Sequence, residues 1–500
     1  MAEHAWPFGA GRLSRRQSLR AAATAAVGGS FLAACGPVKA ASGAATRQSA
    51  LPTPAAGTVQ LMFQANYQFI PWNATTKTVF QEFVDQHFNT NPQYRGIWAT
   101  VYPAGWGNEA TQYTDDIAGK GYADVFMFCC TDIPNAEHAG IAAPLDTLLK
   151  QDNISTSNWS PGHILADSYN GSLYGLPSYD GEMCIFYRQD ILDSLGLAYP
   201  DPSWNSTEAA KIWTQCAGKN ANGTSRAGLS TYWDQGEMNE FMRAWGGLEM
   251  NATQDRALMD SQAGINAMTY WQNLYLQGAV YTGGQDTSIL PSAKAVFAQY
   301  HSAHVVDVGA TLLGSKYKWD ILPNPSWPGG KSTFCTIDCY MLNAQTKHPQ
   351  EAWELMKWIN LGAPTGNGGF DNAWPKFQIQ INLVTPSLVS LWEYWQTEIQ
   401  LVAPPLKGKG LQYFAEASQQ GYGYPTMYFK YQPIQAVNIE NQYITAILGG
   451  KTSPQAGLQQ MAHQVNALES VAAAEAQQTA RASQLFPATG PTVASVVSGI

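Results

Sequence analysis

Apolar residues recur along this chain with two different periods, and the switches between them mark its elements. Val59, Leu61 and Phe63 alternate with Gln60, Met62 and Gln64, a period of two that predicts a strand. Val79, Phe80, Phe83, Val84 and Phe88 recur at helical spacing, and Ile97 to Tyr102 reads as a second strand. A polar helical segment is expected around Glu109 to Ala118. Val125 to Cys129 is continuously apolar, as in a strand buried on both faces. Strand, helix, strand, helix, strand is the order of an α/β lobe.

The middle of the chain repeats that order. Glu182 to Tyr187 predicts a strand, and Ile191, Leu192 and Leu195 predict a short helix closed by Gly196. Asn205, three residues ahead of Glu208, predicts a capping box for a helix whose apolar face is Ala209, Ile212, Trp213 and Cys216. Further helices are expected on Ile265, Met268, Trp271 and Tyr275, on Ile439, Tyr443, Ala446 and Ile447, and after Ser453-Pro454. From about Gln477 the tail is expected to fray.

The first residues follow neither period. Ser14-Arg15-Arg16-Gln17-Ser18-Leu19-Arg20 is a twin-arginine run, and an uncharged stretch rich in Ala and Gly follows from Ala21 to Ala34. Leu32-Ala33-Ala34-Cys35 closes it and resembles a bacterial lipobox. A basic head, a short apolar body and small residues before the cut are the layout of an export signal. The body falls short of the roughly 20 apolar residues that a bilayer span needs. Residues 1–34 are therefore expected to be removed and Cys35 to carry lipid on the outer face of the cytoplasmic membrane. Residues 35–57, almost all small or polar, read as a flexible tether.

At 500 residues the chain is long enough for two lobes. Its net charge is −9, and loss of residues 1–34 would remove four arginines and one glutamate, leaving a more acidic protein. That argues against a nucleic-acid partner, which wants clustered Lys and Arg. The 17 Trp, 24 Tyr and 18 Phe leave rings for a binding cleft as well as for cores. Cys129, Cys130, Cys184, Cys216, Cys335 and Cys339 form no CxxC pair beside a His cluster, so no metal is expected. The adjacent Cys129 and Cys130 would point to opposite faces of a strand, each needing its own partner, and free buried thiols are equally compatible with the sequence. No cofactor is expected, and neither a nucleotide-binding P-loop nor a Gly-x-Ser-x-Gly elbow occurs.

A series of short stretches carries a family resemblance by its order and spacing. Gly121-Tyr122-Ala123-Asp124-Val125-Phe126 opens it, and Ala139-Gly140-Ile141-Ala142-Ala143-Pro144-Leu145-Asp146 follows. Asn170-Gly171-Ser172-Leu173-Tyr174-Gly175-Leu176-Pro177 and Phe186-Tyr187-Arg188-Gln189-Asp190-Ile191-Leu192 continue it. Trp245-Gly246-Gly247, the run Lys318 to Pro325, and Lys347-His348-Pro349-Gln350-Glu351-Ala352-Trp353-Glu354-Leu355 complete it. Together, from Thr58 to Ser470, they resemble the extracellular solute-binding proteins of ABC importers, in the carbohydrate-binding family that includes maltose-binding protein.

The resemblance implies a periplasmic-binding-protein-like α/β fold of two lobes joined by several hinge crossings. Residues 58–178 and 340–423 would form the first lobe, 183–334 and 429–476 the second, and 477–500 a tail. Crossings are expected near Pro177 to Gly181, near Cys335 to Cys339, and within Tyr422 to Tyr428. The implied protein is no enzyme. It is a monomeric, lipid-anchored receptor that holds a sugar between its lobes and hands it to membrane permease subunits of the importer.

Sugars present hydroxyls to polar side chains and C–H faces to flat rings. In segments that the resemblance places at the cleft, the candidate ligand residues are Gln64, Asn66 and Tyr67, then Thr131 and Asp132, then Tyr179, Asp180 and Glu182. Trp233 and Asp234, Tyr300 and His301, and Tyr424 extend the set, with Trp106 and Trp374 as further stacking rings. Asp338 is the sharpest candidate, because a charge inside the apolar run Phe334 to Leu342 demands a partner. Each has a plainer reading: a turn, a helix cap, a solvated loop or a core ring. The rivals are the same receptor with a polyamine or other non-sugar solute, and a secreted polysaccharide-active enzyme using Asp180 and Glu182.

Overall fold

The computed structural model describes residues 53–66, 74–104, 123–231, 235–283 and 286–485. Within them the chain first lays down β1 (Val59–Asn66), β2 (Ile97–Ala104), β3 (Val125–Cys129) and β4 (Gly175–Asp180). It then forms β5 (Met183–Arg188), β6 (Ser225–Thr231), β7 (Val280–Thr282), β8 (Ala295–His301) and β9 (Trp319–Leu322). Three more strands follow: β10 (Thr333–Cys335), β11 (Ile337–Leu342) and β12 (Gly423–Pro425).

Ten of these strands make two separate mixed sheets, and β10 pairs with β12 apart from both. The first has the order β2-β1-β3-β11-β4 and the second β7-β6-β8-β5-β9. β1 pairs in parallel with β2 along its whole length, and Leu61, Phe63 and Ala65 are the buried face that the alternation predicts. β3 is buried from Val125 to Phe128, in line with its unbroken apolar run. β11 returns late in sequence and runs antiparallel between β3 and β4, so a distant segment closes the first sheet. In the second sheet β8 is parallel to β6 but antiparallel to β5.

Local signals act as expected at the helix ends. Asn205 and Glu208 form the reciprocal capping box of Ser206–Cys216, and Gly196 closes Gln189–Leu195 in the left-handed conformation at φ 66°. The final helix runs Pro454–Leu485, beyond the Gln477 at which fraying is expected; its last turns are rich in Ala, Gln and Glu, strong helix formers. The polar segment Glu109 to Ala118 lies outside the described residues, as do the signal and tether residues up to 52.

Two large apolar cores support the sheets. One joins Leu61, Phe63 and Val125 of the first sheet to Phe186, Tyr300 and Trp319 of the second. The other, entirely on the second sheet, stacks Trp213 on Trp271 at 5.9 Å and sets Trp327 5.5 Å from Trp271. Leu406 and Phe414, in the stretch grouped by sequence with the first lobe, share the first of these cores, and the Phe414 ring lies 6.2 Å from Phe186 on the second sheet. A smaller core beside β3 and β11 contains Cys130, Cys335 and Cys339.

Candidate functional site

The chain passes from sheet to sheet at neighbouring points. β4 ends at Asp180 and β5 begins at Met183; β10 ends at Cys335 and β11 begins at Ile337. β12 lies parallel to β10, with Phe334 opposite Tyr424. Glu182 sits among these crossings, fully out of water. Its Oε1 is 3.2 Å from Nε2 of His163, on the helix Pro161–Ala166. Its backbone carbonyl accepts from the Ser302 amide at 2.8 Å. A Cβ on Gly423 would fall 2.5 Å from both Glu182 carboxylate oxygens, so any side chain there would force that carboxylate to move.

Further groups tighten the same region. The Nδ1 of His301 donates to the Gly181 carbonyl at 2.6 Å. Burial, with His304 adding to it, pushes the His301 pKa down to about 3, so the ring is neutral. Glu240, on the helix Met238–Ala244, is buried beside Glu182, and burial followed by that neighbouring carboxylate pushes its pKa up to about 8. Asn239 Nδ2 donates to the Pro425 carbonyl at 3.1 Å, and Ser332 Oγ to the Glu240 carbonyl at 3.2 Å. Asp167 is fully buried, and burial raises its carboxyl well above the usual range.

One row of side chains crosses the first sheet toward this region. Asp338 of β11 pairs in register with Cys129 of β3 on one side and Tyr179 of β4 on the other. Tyr179 is buried, with its hydroxyl 3.4 Å from that of Tyr340. Thr131 and Asp132 follow Cys129 on the short turn Cys130–Asp132, both partly exposed. Asp132 occupies the N-cap position of Ile133–His138 without a side-chain capping bond, which removes its plainer reading.

Several expected ligand residues have structural positions instead. Gln64 is buried and its Oε1 accepts from the Met127 amide at 2.8 Å, repairing the ladder where β1 and β3 share a single registered pair. Trp374 is 0 % exposed and packs on Phe63, Phe80 and Trp358, because Ala373–Asn382 turns its ring into the core rather than toward solvent. Tyr300 is equally buried and donates to the Asp286 carbonyl at 2.8 Å. Glu182 and His301 lie at the crossings, where Glu182 Oε1 faces His163 and His301 Nδ1 bonds the Gly181 carbonyl. Tyr424 is half-buried, with Arg243 5.5 Å from its ring centre. Asn66 and Asp180 end β1 and β4. Tyr67, Trp106, Trp233, Asp234 and Cys35 lie outside the described residues.

His163, Asp167, Glu240 and Asn239 were not legible as crossing residues. Only the Ser160-Pro161 step, a helix start, hints that His163 heads a buried helix. Among the described residues no group of His, Cys, Asp and Glu could hold a metal ion. A surface hollow of about 420 Å³ beside the helix Ser206–Cys216, lined by Tyr199, Pro200, Trp204 and Glu208 among others, shares no residue with the candidates.

Comparison with known proteins follows the same lines. The profile described as bacterial extracellular solute-binding protein matches residues 73–360. A binding protein of Brucella abortus is 20 % identical over 308 residues, 58 % of this chain and 70 % of that one. The cyclic alpha-maltosyl-1,6-maltose binding protein of Arthrobacter globiformis superposes with a TM-score of 0.64 at 16 % identity, covering 83 % of this chain and 99 % of the other. The sugar-binding protein MalE of Xanthomonas citri gives 0.61 at 16 % identity over 86 % and 100 %. A Listeria monocytogenes ABC substrate-binding protein in complex with cycloalternan gives 0.59 at 16 % over 82 % and 99 %.

Proposed function

The chain belongs to the bacterial extracellular solute-binding protein family, and from that premise we propose that it captures a sugar or oligosaccharide between two lobes and delivers it to an ABC permease. The lobes are residues 58–178 with 340–423 and residues 183–334 with 429–476, and the exported protein is held to the membrane through lipid on Cys35. The ligand-bearing names of the similar structures, cycloalternan and a cyclic maltosyl-maltose, support a carbohydrate.

The observation that carries this reading is the convergence of strand ends on the crossings. β1 and β3 end at Asn66 and Cys129, and β6 and β8 at Thr231 and His301, where open α/β sheets place their ligands. Thr131, Asp132, Asp338 and Tyr424 supply hydroxyl-matching groups and a ring there. A guest stabilises the closed arrangement only through contacts that the open one lacks. The three narrow crossings are the segments able to absorb such a hinge motion.

Thermal unfolding of the full chain with maltotriose, a cyclic malto-oligosaccharide or spermidine tests it. At a hundredfold excess over Kd, a bound sugar adds about 2.7 kcal/mol to the native state and raises the midpoint. Asp338→Asn should weaken that sugar roughly tenfold or more, through loss of a charged hydrogen bond. A shift with spermidine and none with any sugar would make the cargo a polyamine.

A further inference from the structure

We propose that Arg243 and Lys331 form an anion-binding site beside β12, so that the guest is a saccharide carrying an acidic group, a carboxylate or a phosphate. The saccharide rests on the receptor function proposed above; the anion site does not.

Arg243 lies in the last turn of the helix Met238–Ala244, with its guanidinium carbon 5.5 Å from the centre of the Tyr424 ring. It is half-buried, and its Nε is shut off from water with no hydrogen-bond partner among the described residues. Arg188 shows what an arginine committed to the fold looks like. Its Nε and Nη2 donate to Asp190 at 2.8 and 2.7 Å, and its Nη1 to the Leu290 carbonyl at 2.8 Å. Arg243 has a ring face in place of that set, and a ring face offsets only part of a buried donor's cost. A guanidinium held this way is available to an anion.

Lys331 stands beside it. The segment 329–332 is fastened along the same helix: the Gly329 amide donates to the Ala244 carbonyl at 2.8 Å, and Ser332 Oγ to the Glu240 carbonyl at 3.2 Å. Lys331, between these two bonds, is exposed, and its Nζ is 5.3 Å from the centre of the Tyr422 ring. Tyr422 directly precedes β12 and Tyr424 lies within it. Two cations therefore stand over two rings of one short segment, at the third crossing.

The buried carboxylates nearby do not cancel these charges. A Cβ on Gly423 would point at Glu182, and neighbours in a strand point the other way. The Tyr424 ring, with Arg243 over it, thus lies on the face turned from that carboxylate. Glu240, on the helix of Arg243, has its pKa pushed up to about 8 by burial and then by Glu182; a paired guanidinium would hold it down instead. The Arg243 fork can take a carboxylate or phosphate through two parallel bonds, and Lys331 adds a point charge at its side.

Calorimetric titration of the full chain with maltotriose, digalacturonate, glucose 1-phosphate and inorganic phosphate tests the site. Digalacturonate or glucose 1-phosphate should bind at least tenfold more tightly than maltotriose, and the tighter of the two tells carboxylate from phosphate. Arg243→Gln should weaken that ligand about tenfold or more, and Arg243→Lys less, because it keeps the charge and loses the fork. Lys331→Gln, at an exposed position that leaves folding intact, should weaken it about threefold, an effect that fades as salt rises. Binding of inorganic phosphate alone, abolished by Arg243→Gln, would keep the anion site and end the sugar reading. Maltotriose binding as tightly as the acidic ligands, no binding of any acidic probe, or acidic ligands indifferent to Arg243→Gln would each overturn the proposal.

Discussion

In the core under the first sheet, Trp374 stands 5.2 Å from Phe63, 5.9 Å from Phe80 and 5.5 Å from Trp358, with no polar group required to hold it. At the crossings, His163, Glu182 and Glu240 are equally removed from water but are held by pairwise bonds and by proton occupancy. The first kind of packing is non-directional and additive, so it stays rigid. The second is directional, individually weak and sensitive to protonation, which suits segments that must move between two arrangements. Trp374 and Glu182 were both candidates for one cleft, yet the structure puts the ring in the first region and the carboxylate in the second.

The sharpest way to break the contrast is Trp374→Ala. Truncating a fully buried Trp should cost about 3–5 kcal/mol in urea unfolding. A loss under about 1 kcal/mol would mean that the ring is not core. Next in size is the pH dependence at the crossings. Glu240 binds its proton up to about pH 8 in the folded protein, beside Glu182, but only to about pH 4.3 when unfolded. Its contribution is thus complete below about pH 4.3 and lost as pH rises toward 8, by up to about 1.4 kcal/mol per pH unit. Glu240→Gln, neutral throughout, should lack that descent when unfolding is followed at several pH values; parallel profiles would place the carboxyl in water. The smallest effect is expected for Ser332→Ala, which removes one bond to the Glu240 carbonyl and should cost about 1 kcal/mol.

Much of the fold can be read before any coordinates. The alternation of Val59, Leu61 and Phe63, the apolar run of β3, and the Asn205–Glu208 box each concern residues a few positions apart, where backbone geometry dictates the outcome. The site was less legible. Gln64 looks like a loop-end polar residue, but its partner Met127 lies 63 positions away. Trp374 follows an Asn-Gly-Gly loop that suggests exposure, and only the docking of Ala373–Asn382 buries it. Cys129 and Cys130 would diverge in a strand; the turn that begins between them cannot be seen in their spacing.

The order of residues alone thus determined the local periods, the caps, the acidic balance and the family to which the chain belongs, because those depend on near neighbours and on motif order. Only the tertiary structure decided that His163 meets Glu182, that Gly423 must stay small beside it, and that Asp338 shares a row with Cys129 and Tyr179. Those contacts join segments far apart in the chain. Burial sets their energies, and burial exists only once the two sheets have come together.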